Sequence, residues 1–174
     1  MSTKFAKQLA AYAFLVLTFL NIASLANFLP IDIPFLSKIL GSKLIYVGCW
    51  AVAAAGYVIS FVNDRDVFDI VIGIGFASQA VRFFINNPMN QTLSSFFFLV
   101  FMATLLVWAV KFFKDRKVVR GIPLVVIVLI ELTTVFVLPR FGAEFLSTIL
   151  GYMNFVLSIY YYGTYATACI YDSV

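Results

Sequence analysis

TLSSFFFLVFMATLLVWAVKFF, residues 92–113, runs nineteen positions before its first charge at Lys111. At about 1.5 Å per residue, a helix of that length reaches about 28 Å. The hydrocarbon layer of a bilayer is about 30 Å thick. A helix apolar all round has no polar face to give to water, so the run predicts a membrane span over 92–113. The same reading extends outward to apolar runs at 67–85, 44–62 and 9–29 on one side, and at 122–138 and 145–170 on the other.

Composition agrees with that run. Of 174 residues, 63% are hydrophobic and only 11% are charged, against about 45–50% and 25% in soluble domains. Twenty phenylalanines and nine tyrosines with so few charges are the reverse of the composition of disordered chains. The expected fold class is all-α: a polytopic integral membrane protein, residues 1–174 forming a single bundle of about six transmembrane helices. Six spans use nearly the whole chain and leave no length for a soluble catalytic domain.

The connecting segments carry their own signals. Lys4 and Lys7 precede the first span, which Pro30 ends. Between Pro34 and Leu40, the apolar Phe35, Leu36, Ile39 and Leu40 oppose Ser37 and Lys38. That pattern suits a short interfacial helix between spans one and two, or equally a loop with an apolar anchor. Span two is rich in Gly48, Cys49, Ala51, Ala53, Ala54, Ala55 and Gly56. Small residues allow close helix approach in lipid, so this helix is expected inside the bundle. Pro123 is expected to start span five and Pro139 to stop it. Tyr160, Tyr161, Tyr162, Tyr165 and Tyr171 cluster late in span six, as tyrosines do at a membrane interface.

Charge sets the expected orientation. With six spans, Lys4, Lys7, Arg65, Lys111, Lys114, Arg116, Lys117 and Arg120 share one side. Lys38, Lys43, Arg82 and Arg140 share the other. The positive-inside rule then places both termini in the cytosol. Lys111, Lys114, Arg116, Lys117 and Arg120 are candidate contacts for anionic lipid headgroups, at about 1 kcal/mol each; the alternative is that they only fix topology. Lipids and other integral membrane proteins are the expected partners, and nucleic acid is not.

Ionisable and amide side chains inside spans are costly and therefore informative. The candidates are Glu131, midway along span five, with Arg82, Gln79 and Asn154. Glu131 is either a proton or cation site, or an acid bonded to a neighbouring helix, for instance to Asn154 or Thr134. An Arg82–Glu131 pair is a further option, although their depths differ by about a turn. Gln79, Asn21 and Asn154 are suited to interhelical hydrogen bonds of about 1 kcal/mol.

The chain has no histidine and two cysteines, Cys49 and Cys169. Imidazole-based metal catalysis and a four-cysteine relay lack their residues. No paired acids, Cys–His or Ser–His arrangement exists. Neither an enzyme, a cofactor nor a metal is expected.

Three stretches together resemble the transmembrane-protein-thirty-three (Krüppel-homologue-two) family of endoplasmic reticulum and nuclear-envelope proteins. They are Phe83-Phe84-Ile85-Asn86-Asn87-Pro88 with the exit Val110-Lys111-Phe112-Phe113-Lys114-Asp115, then Ile130-Glu131-Leu132-Thr133-Thr134-Val135-Phe136, and then Gly151-Tyr152-Met153-Asn154-Phe155-Val156-Leu157. The chain departs from the family at Tyr162-Gly163-Thr164-Tyr165, where the family is basic. The resemblance implies a non-enzymatic protein of those membranes that engages partner membrane proteins and influences membrane shape. The leading expectation is therefore a membrane scaffold or accessory subunit. The rival is a small channel or transporter using Glu131 and Arg82.

Overall fold

The computed structural model describes residues 2–26, 42–85 and 90–171. All the regular structure among them is helical: α1 (Thr3–Ala26), α2 (Lys43–Asp64), α3 (Val67–Ile85), α4 (Gln91–Lys114), α5 (Val118–Phe141) and α6 (Glu144–Tyr171). The stretch expected as an interfacial helix, Pro34–Leu40, lies outside the described residues. Five helices, α1 to α5, are long and apolar enough to cross a membrane. α6 has 28 residues, but Asn154 and the Tyr160–Tyr162 run reduce its apolarity, and it is not among those five.

Helix ends depart from expectation in physically readable ways. α1 begins at Thr3, well before the expected Leu9, because Lys4 and Lys7 continue the helix beyond its apolar section. α5 begins at Val118 and contains Pro123 in its second turn instead of starting there. A proline obstructs the carbonyl four residues earlier; here that residue is Val119, which lies exposed at the helix end. Pro139 does not stop the helix either. The backbone widens into a π-helical turn over Thr133–Val137, and the Leu138 N–H bonds the Thr133 carbonyl. That turn carries the chain past a residue with no N–H of its own. The helix ends at Gly142, whose φ of +61° closes the last turn in the left-handed region.

Each helix packs against the next in sequence, and α6 returns to α1. The result is a closed up-and-down ring in which the α5–α6 seam is the sparsest. Small residues set the tightest contacts. A Cβ added at Gly56 would stand 2.5 Å from the Ala6 carbonyl oxygen of α1, and one at Gly75 would run into the Thr104 side chain of α4. Where α2 was expected to lie inside the bundle, only one of its faces does. Ala53, Ala54 and Gly56 are buried, whereas Gly48, Ala51 and Ala55 are exposed.

The ring interior is filled by aromatic side chains. Phe14 stacks on Tyr162 at 5.3 Å and meets Phe76 edge-on at 5.2 Å. Trp108 meets Phe76 at 5.3 Å and Tyr161 at 5.4 Å. Such pairs contribute about 0.5–1.5 kcal/mol each beyond area burial. Tyr161 and Tyr162, expected at an interface, are thus core residues at 2% and 7% exposure; of the Tyr160–Tyr162 run only Tyr160 lies exposed.

Candidate functional site

On the axis of the ring, beyond the aromatic plug, lies a cavity of about 230 Å³ to which all six helices contribute. Its floor includes Trp50, Phe101 and Tyr162. Tyr46 and Arg82, each within one turn of a helix end, mark its upper limit. The four polar candidates expected from sequence, Gln79, Arg82, Glu131 and Asn154, all line it, as do Asn21 and Ser158.

Periodicity explains the convergence. Gln79 and Arg82 are three apart on α3, so they share a face. Arg82 Nη1 reaches Gln79 Oε1 at 3.5 Å, a long contact, and the guanidinium lies 4.5 Å from the centre of the Phe98 ring, a cation–π arrangement. Opposite, Asn154 Nδ2 of α6 donates to Glu131 Oε1 of α5. Of the two partners expected for Glu131, the structure brings Asn154 and leaves the buried Thr134 hydroxyl without a partner. Arg82 and Glu131 form no direct ion pair. Both line the same cavity, from α3 and α5. The buried Asn154 Oδ1 also finds no hydrogen-bond partner, although buried acceptors are nearly always satisfied.

A second polar cluster sits on the other side of the plug, at the end of the bundle that holds the basic loop. Asp69 of α3 is fully buried. Ser60 Oγ donates to its Oδ2 at 2.5 Å, and Lys111 Nζ to its Oδ1 at 2.8 Å. Lys7 Nζ stands 3.5 Å from Oδ2. Lys111 also bonds Asp66 Oδ2 at 2.5 Å, and Asp66 caps α3 by accepting the Phe68 N–H at 2.9 Å. Partial burial acts to raise the Asp66 carboxyl. The Lys111 hydrogen bond, the Phe68 N–H and the charges of Lys111 and Lys7 outweigh it, and hold the group below its ordinary value.

This cluster divides the expected lipid contacts. Lys111 points inward to two carboxylates. Lys114, Arg116 and Lys117 are exposed, and Arg120 is partly buried beside Tyr160 and Thr164. Asp69 and Ser60 were not foreseen from sequence. The available signal was a set of opposite charges, Lys7, Asp69 and Lys111, each within about one turn of its helix end on the same side. Among the described residues, no group of His, Cys, Asp and Glu is arranged to hold a metal ion. Cys49 is a free thiol; Cys169 lies outside the residues whose side chains are described.

No protein-family model matches the sequence, and neither does any curated protein or solved structure.

Proposed function

We propose that the chain is a membrane-embedded carrier that takes a small polar solute into the axial cavity, with Arg82 and Glu131 as its charged contacts. In this reading the chain crosses the bilayer six times, with the basic end in the cytosol. One observation carries the proposal: four costly polar side chains from α3, α5 and α6 gather on one cavity, with Arg82 and Glu131 unpaired to each other. A scaffold, the role that goes with the family resemblance and its endoplasmic reticulum or nuclear-envelope setting, leaves that gathering without a task. Interhelical glue accounts for the Asn154–Glu131 bond but not for Arg82, whose hydrogen-bond contact is to Gln79 of its own helix. The aromatic plug favours a carrier over an open channel, because Phe14, Phe76, Trp108 and Tyr162 fill the axis between the cavity and the basic end.

Cysteine accessibility tests the reading. In a Cys49→Ala, Cys169→Ala background, Gln79→Cys and Ser158→Cys should react with a membrane-impermeant thiol reagent. Outward-facing Ile74→Cys and Leu129→Cys should not. Reaction should be at least tenfold faster from the side of the α5–α6 turn than from the basic end. Equal rates from both sides indicate an open pore, and cavity positions as inert as Ile74→Cys remove the solute site; either outcome overturns the proposal.

A further inference from the structure

Resting on that reading, we infer that the cavity's ligand is a small zwitterion bearing a carboxylate and a primary ammonium. Two opposite charges line one cavity from different helices and do not neutralise each other by contact. A ligand of single charge satisfies one of them and leaves the other desolvated, which is expensive at membrane depth. A ligand with both charges satisfies both.

The surroundings sort the two ends. Arg82 has only donors to offer, and its long contact to Gln79 and its place over the face of Phe98 leave guanidinium N–H groups for a carboxylate. At the other pole, Glu131 still has acceptor capacity, and Asn154 Oδ1 is a buried acceptor lacking a donor. An ammonium brings three donors, enough for both and for one more acceptor such as Ser158 Oγ. Trp50, Phe101 and Tyr162 add aromatic lining to the cavity. The cavity of about 230 Å³ is many times the roughly 10–15 Å³ that one water needs on the same measure. That is room for a small amino acid.

The chain supplies its own reporter. Its two tryptophans are Trp50 and Trp108; the first lines the cavity and the second sits in the plug. Trp50 fluorescence is followed in the detergent-solubilised Trp108→Phe protein, and in wild type should that variant not fold. The probes are glycine, β-alanine, γ-aminobutyrate and 5-aminovalerate, with acetate and methylammonium, alone and together, as controls. At least one amino acid of the series should bind tenfold or more tightly than either control. Glu131→Gln should weaken it at least tenfold without creating acetate binding, and Arg82→Gln should abolish it. Acetate binding as tightly as the best amino acid means an anion site at Arg82; methylammonium doing so means a cation site at Glu131. Either result, or no response to any amino acid, overturns the zwitterion. The carrier reading falls separately, on loss of cysteine accessibility at Gln79→Cys and Ser158→Cys.

Discussion

The residue that repays closest reading is Asp69, an acid with no exposed surface. A charge so placed is tolerable only because Ser60 and Lys111 bond it directly and Lys7 stands close by. Removing one partner of a buried ion pair typically costs about 3–5 kcal/mol. Lys111 keeps Asp66 as a second partner, so Asp69→Ala should cost near the lower end, about 3 kcal/mol. Ser60→Ala removes one hydroxyl donor to a charged acceptor and should cost less, about 1.5–2 kcal/mol. Thermal unfolding in detergent measures both, and equal losses would contradict the ranking. Asp66 adds a pH dependence. Its folded-state carboxyl lies below the unfolded value of about 3.9, so it contributes stability at neutral pH that is lost as pH falls through the lowered value. Asp66→Asn should flatten the acid limb of the unfolding midpoint against pH; an unchanged limb would place its origin elsewhere.

At the scale of elements, four helices could be read from apolar run length to within about two residues, since length in lipid is fixed by thickness. The other two show where that reading stops. α1 begins six residues before its apolar run, because hydropathy marks the greasy part of a helix and not the helix. α5 passes both of its prolines, one near its exposed first turns and one through the π-helical turn. Backbone accommodation of that kind leaves no mark on composition. Which small residues pack was likewise only half legible, since α2 has small residues on both faces and only the neighbouring helices decide which is used. Gly56 and Gly48 make that distinction measurable. Gly56→Ala drives a methyl at the α1 backbone and should destabilise the ring by about 1–3 kcal/mol. At Gly48 nothing stands within 4 Å of the added Cβ, so the alanine should be neutral, or stabilising by up to about 1 kcal/mol. Similar unfolding midpoints for the two variants would mean that α1 and α2 do not approach as described.

For the whole molecule, the ring closure was the part hidden from sequence. Each polar candidate could be named from its cost in lipid, but that Gln79, Arg82, Glu131 and Asn154 line one cavity depends on α6 returning to α1. No hydropathy pattern encodes that return; it is made by side chains such as Tyr162 stacking on Phe14, which sequence assigned to the interface. The closure carries a topological consequence. If the ring spans the bilayer and α6 crosses with α1, the chain ends on the same side as it starts. In sealed vesicles of known orientation, an impermeant maleimide should reach Ser2→Cys, Arg116→Cys and a cysteine appended after Val174 from one side, and Gly142→Cys only from the other. Arg116 and Gly142 occupy opposite ends of α5, so their opposition tests that span alone. The appended cysteine is the discriminating position. Should it react on the side of Gly142→Cys, α6 does not traverse the bilayer, Tyr162 cannot reach the plug and Asn154 cannot reach Glu131. The cavity would then lose the helix that closes it, and the solute site would go with it.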